Sequence, residues 1–151
     1  MHKKLSLLAA LSILGGPAAA AAADSACSLR ETVTEHLRAV EERDLSALLE
    51  TITAGEALPL LFGDGRKLDT RREFVELHEA WFADDSWRMR MRLEGLIETA
   101  ELGHALVRYR YTWLQDDGAE GQRESWLTLL FALEDDCWRL VFDQNTPIET
   151  S

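Results

Sequence analysis

Trp87-Arg88-Met89-Arg90-Met91-Arg92-Leu93-Glu94 alternates apolar and charged residues without a break, and a period of two is the signature of a strand with one face buried. The pattern continues downstream. Ala105, Val107, Tyr109, Tyr111 and Trp113 alternate with His104, Leu106, Arg108, Arg110 and Thr112. Ser125, Leu127, Leu129, Phe131 and Leu133 alternate with Glu124, Trp126, Thr128, Leu130 and Ala132. Trp138, Leu140, Phe142 and Gln144 alternate with Arg139, Val141, Asp143 and Asn145. Turn-forming clusters at Glu101-Leu102-Gly103, Asp116-Asp117-Gly118 and Glu134-Asp135-Asp136 separate these runs, so four long strands form an antiparallel meander.

Upstream the period is helical. Leu29, Val33, Leu37 and Val40 share a stripe with His36 beside it, and Ser28 with Glu31 makes a capping box in front of them. Asp44 caps a second, shorter helix on Leu45, Leu48, Leu49 and Ile52. Ala57 to Phe62, interrupted by Pro59, reads as a short edge strand before the Gly63-Asp64-Gly65 turn. Asp69 or Thr70 opens a third helix, whose Phe74, Leu77, His78, Trp81 and Phe82 form the clearest amphipathic face of the chain. Helices first and strands afterwards is the order of an α+β domain.

The first 23 residues stand apart. Met1-His2-Lys3-Lys4, an apolar run from Leu5 to Leu14, and alanines from Ala18 to Ala23 have the layout of a secretory signal too short to span a bilayer. Cleavage after Ala23 is expected to leave one domain, residues 24–151, in the periplasm or outside the cell. Loss of Lys3 and Lys4 takes the formal charge from −11 to −13. A chain this acidic is repelled by nucleic-acid phosphates and anionic lipids, so neither nucleic acid nor membrane is an expected partner once the signal is removed. Cys27 and Cys137 form a candidate disulfide in an oxidising compartment, although sequence leaves open whether their Cα atoms come close enough.

The closing run Cys137-Trp138-Arg139-Leu140-Val141-Phe142-Asp143-Gln144-Asn145-Thr146-Pro147, together with the element order, resembles bacterial SnoaL-like and DUF4440-type domains of the nuclear transport factor 2 (NTF2) superfamily. The resemblance spans roughly residues 28–148. It implies a cone in which three N-terminal helices pack on a strongly curved, mainly antiparallel sheet. The superfamily includes isomerases, cyclases, dehydratases and non-enzymatic binding or assembly domains, so fold analogy alone does not select an activity.

Within such a cone the alternation places His36, His78, Trp81, Tyr109, Tyr111, Phe142 and Gln144 against a small apolar or aromatic ligand. His78 and Asp64 are the candidate proton-transfer groups for a cofactor-free isomerase, cyclase or dehydratase. The steroid-isomerase pattern is expected to be absent, because the first helix has no tyrosine and the alternation gives the inward face no acid. The opposite sheet face, carrying Arg90, Arg108, Arg110, Trp126 and Asp143, is the expected homodimer surface; solvated ion pairs are its simpler reading. A third possibility is an interaction module whose cone is filled by Trp81, Phe82 and Trp113. His36, His78 and His104 do not fall at metal-ligand spacing, and no cofactor motif is evident, so neither a metal nor a cofactor is expected.

Overall fold

The computed structural model describes residues 27–149, so the N-terminal signal-like segment lies outside the described residues. Helix α1 (Leu29–Glu42) starts on a complete capping box between Ser28 and Glu31. Helix α2 (Leu45–Glu50) starts on Asp44, whose side chain accepts from the Ala47 N–H. Strands β1 (Ala57–Leu61) and β2 (Lys67–Thr70) form a short hairpin. Thr70 and Glu73 then make a second capping box at the start of α3 (Arg71–Phe82). Strands β3 (Trp87–Glu98), β4 (Leu102–Leu114), β5 (Glu120–Glu134) and β6 (Cys137–Pro147) complete the chain.

The six strands form one sheet in the order β2-β1-β6-β5-β4-β3, and only the β1–β6 pair is parallel. β2 has no counterpart in the sequence reading. It is four mostly polar residues at the sheet margin, where hydrogen bonding can define a strand without hydrophobic alternation. None of the described helices is long and apolar enough to cross a membrane.

The helices pack into the concave face. Leu29, Val33 and Val40 of α1 and Phe74 of α3 join Val107, Leu129, Phe131 and Leu140 in one buried core. Two glycines make room for that packing. A Cβ at Gly103 would lie 2.6 Å from Leu29, and one at Gly121 would lie 2.4 Å from the Trp113 ring. Gly121 thus lets Trp113 lie flat across the neighbouring strand, to which it is paired in register. Just ahead of α1 and at the start of β6, Cys27 and Cys137 are joined as a disulfide with their Cα atoms 5.2 Å apart.

Two bulges interrupt the ladders of the long strands, and the β1–β2 ladder carries a further irregularity between Ala57 and Leu60. In β3, Leu93 pairs with Val107 and Gly95 with Leu106, leaving Glu94 as the extra residue. In β6, Leu140 pairs with Phe131 and Phe142 with Leu130, leaving Val141 as the extra residue. A bulge bends its strand and inverts the side-chain phase beyond it.

Candidate functional site

That inversion corrects the predicted site. Up to Leu140 the expected phase holds, with Trp138 and Leu140 buried inward. Beyond Val141, Phe142 and Gln144 share the outer face with their partners Leu130 and Thr128 and do not line the cone. Asp143 and Asn145 turn inward instead. Asp143 is therefore not part of the outer face assigned to it from the alternation; it is 6% exposed inside the cone. The inward face does carry an acid.

The cone is open. A cavity of about 410 Å³ lies between α1, α3, the β1–β2 turn and strands β3 to β6. The large aromatic residues leave it free because they stack on one another: Trp81 on Trp87 at 4.3 Å between ring centroids, and Tyr111 on Trp113 at 5.7 Å. Leu60, Phe62, Leu77, Met89, Met91 and Leu127 supply apolar wall.

Its polar groups form a connected set on β4 and β6. Tyr109 Oη donates to Asn145 Oδ1 at 2.8 Å. The Asn145 amide in turn donates to Leu61 O at 3.2 Å and to Asp143 Oδ1 at 3.3 Å. No ion pair to a cation offsets the burial of Asp143 among the described residues, and desolvation pushes its carboxyl up to about 7. A carboxyl group near that value can both accept and release a proton at neutral pH.

The histidines are placed in the cavity but are held neutral. Thr51 Oγ1 gives its proton to Leu48 O, so His36 Nδ1–H donates to Thr51 Oγ1 at 2.8 Å. His78 Nδ1–H donates to Phe74 O at 2.8 Å. Each imidazole thereby keeps Nε2 as an acceptor. Burial depresses His36 to about 3, helped by the proximity of His78, and depresses His78 to about 4. Asp64 lines the rim, exposed, with its carboxylate held below the usual range by the Arg66 N–H and guanidinium. Asp143 is the better-placed proton-transfer group. Among the described residues no set of three or more His, Cys, Asp or Glu side chains could hold a metal ion.

Sequence reasoning missed Asp143, Asn145 and Arg123 as lining residues. One signal was available for the first two. Leu140-Val141-Phe142 is a run of three consecutive apolar residues within a stretch otherwise read as alternating.

This geometry now has a family attached. The pattern that defines the SnoaL-like domain matches residues 29–145. The chain belongs to the SnoaL-like family. Solved structures of NTF2-like proteins share its fold. An NTF2-like superfamily protein from Salmonella enterica superposes with a TM-score of 0.66 at 11% identity, covering 80% of this chain and 89% of the other. A candidate dehydratase of the NTF2-like family from Streptomyces avermitilis gives 0.66 at 15% identity, over 80% and 94%. A ketosteroid isomerase-like protein from Erwinia carotovora atroseptica gives 0.66 at 13% identity, again over 80% and 94%. At these identities the likeness shows the fold alone. No curated protein matches the sequence.

Proposed function

We propose that this SnoaL-like domain is exported and binds a small, largely apolar or aromatic molecule in its cone. The observation that carries the reading is the open cavity of about 410 Å³, with apolar walls and a few grouped polar atoms, the usual makeup of a small-molecule site. The Cys27–Cys137 bridge supports an oxidising compartment. The neutral dye N-phenyl-1-naphthylamine is expected to bind saturably with enhanced fluorescence. Met91→Trp, which fills the cavity, is expected to weaken that binding by about tenfold or more while far-UV circular dichroism stays native. Absence of saturable binding to the wild type would remove the reading.

Asp143 favours a second reading, an acid–base enzyme of the isomerase, cyclase or dehydratase kind. Its buried carboxyl, drawn up to about 7 beside Tyr109 and Asn145, suits removal of a proton from a carbon acid or protonation of a leaving hydroxyl.

The uncovered outer face supports assembly with a second copy. Leu106, Trp126, Leu130 and Phe142 lie half-buried there, while Arg108 and Arg110 are both held by Glu124. The exposed Arg90 extends this face on β3, with its guanidinium 3.7 Å from Glu41. With Arg108 and Arg110 both drawn onto Glu124, an apolar strip is left between the charged positions for self-pairing. Sedimentation is expected to give twice the chain mass, and Trp126→Glu to give the monomer. A monomeric wild type at high micromolar concentration would exclude the dimer.

A further inference from the structure

The cavity rim carries a cation whose charge is not met by the protein. Arg123 lines the cavity and is exposed. Its guanidinium lies over the Tyr111 ring at 5.0 Å, and none of the ion pairs among the described residues includes it. The other arginine of the lining, Arg66, is bound to Asp64 at 2.8 Å and stacks on Phe62 at 4.6 Å. Asp64 and Arg66 neutralise one another, so the rim keeps the positive charge of Arg123. The setting is unusual for this chain, whose 27 acids outnumber its 16 lysines and arginines. Arg108 and Arg110, on the other sheet face, already share Glu124.

The two ends of the cavity differ in kind. Asp143 is paired across the sheet with Leu129, and Arg123 lies six positions nearer the β4–β5 turn on the same strand as Leu129. The inner end offers acceptors, the imidazoles of His36 and His78 and the carboxyl of Asp143. The rim offers a planar donor fork suited to a carboxylate. Between them the walls are apolar.

We propose that the molecule held in the cone is an organic anion, with its apolar body in the cavity and its carboxylate met at the rim by Arg123. This rests on the small-molecule reading above and names the class of ligand. A carboxylate directed inward would meet the Nε2 lone pairs of both imidazoles and, above pH 7, the Asp143 carboxylate, so the anion is oriented outward by repulsion as well as by attraction.

The test compares 2-naphthoate with 2-naphthamide, which share a ring body and differ in charge. Each is used to displace N-phenyl-1-naphthylamine from the oxidised full-length mature protein. The wild type is expected to prefer naphthoate by about tenfold, with the preference shrinking as salt rises. In Arg123→Gln the ratio of the two affinities is expected to fall towards one, and Arg123→Lys to restore part of it. Equal affinities in the wild type, or an undiminished ratio in Arg123→Gln, would overturn the assignment while leaving the cone reading intact. Failure of both naphthalenes and the dye to bind would overturn the cone reading itself, and the anion proposal with it.

Discussion

Asp143→Asn is expected to make the domain more stable by roughly 4 kcal/mol at pH 8, a rise in melting temperature of about 10 to 15 °C. Burial raises the carboxyl from 3.8 to about 7. Above pH 7 the native state therefore holds an ionised, buried group that the unfolded chain would hold in water. As pH falls from 7 towards 4 the native state takes up a proton before the unfolded state does, and the penalty disappears. The gain from asparagine should accordingly shrink to less than about 1 kcal/mol at pH 4. Asparagine keeps an oxygen able to accept from Asn145, so the polar chain on β6 is preserved.

The two buried histidines act in the opposite sense. Their pKa values are lowered from 6.5 to about 3 and about 4. The stability due to their neutral forms is present above pH 6.5 and is lost as pH falls towards those values. Between pH 6.5 and 4 the unfolded chain binds two more protons at the histidines, and the native state binds one more at Asp143. On these three groups, wild-type stability should fall by about 1.4 kcal/mol per pH unit in that window, and that of the variant about twice as steeply. Urea denaturation at several pH values reads both quantities. A gain that does not change with pH would show that the Asp143 charge is not what the substitution removes. A carboxyl kept at such a cost in stability is what a working site is expected to contain.

Removing the Cys27–Cys137 bridge is expected to have an effect of similar size and opposite sign. The bond closes a sequence separation of 110 residues, and the chain-entropy relation gives such a loop about 4 to 5 kcal/mol. Against a total of about 5 to 15 kcal/mol for a domain, that is a large share. The effect acts through the unfolded chain, so the urea slope should rise in Cys27→Ser/Cys137→Ser as the unfolded state expands. Binding of the naphthylamine dye well below the transition should persist, since neither cysteine lines the cavity. Equal unfolding midpoints for oxidised and reduced protein would show that the bridge does not constrain the chain.

How far the sequence could be read follows from which signals are periodic. The capping residues Ser28, Asp44 and Thr70 and the alternating runs from Trp87 onward are local patterns, and they place three helices and four strands. Tyr109, Tyr111, Trp81, His36 and His78 lie in the cavity as their stripes require. The inner end of the site was not legible, because alternation predicts orientation only while a ladder stays in register. One extra residue at Val141 exchanges Phe142 and Gln144 for Asp143 and Asn145. Arg123 was passed over for a different reason: it precedes the apolar run of β5, where a charged residue reads as solvent-facing. That the cone stays open depends on ring stacking between residues far apart in sequence, such as Trp81 and Trp87 against Tyr111, which no local pattern reports.

The extra residue in β6 also bears on how such a domain changes over generations. Losing Val141 would bring the strand back into even count and exchange a carboxylic acid and an amide for a phenyl ring and a glutamine, with no codon for a lining residue altered. A cone whose contents are set by the parity of one strand can acquire or discard an acid by a single three-base deletion or insertion. Two descendants could then share a nearly identical sequence and the same fold, yet offer their cargo opposite chemistries.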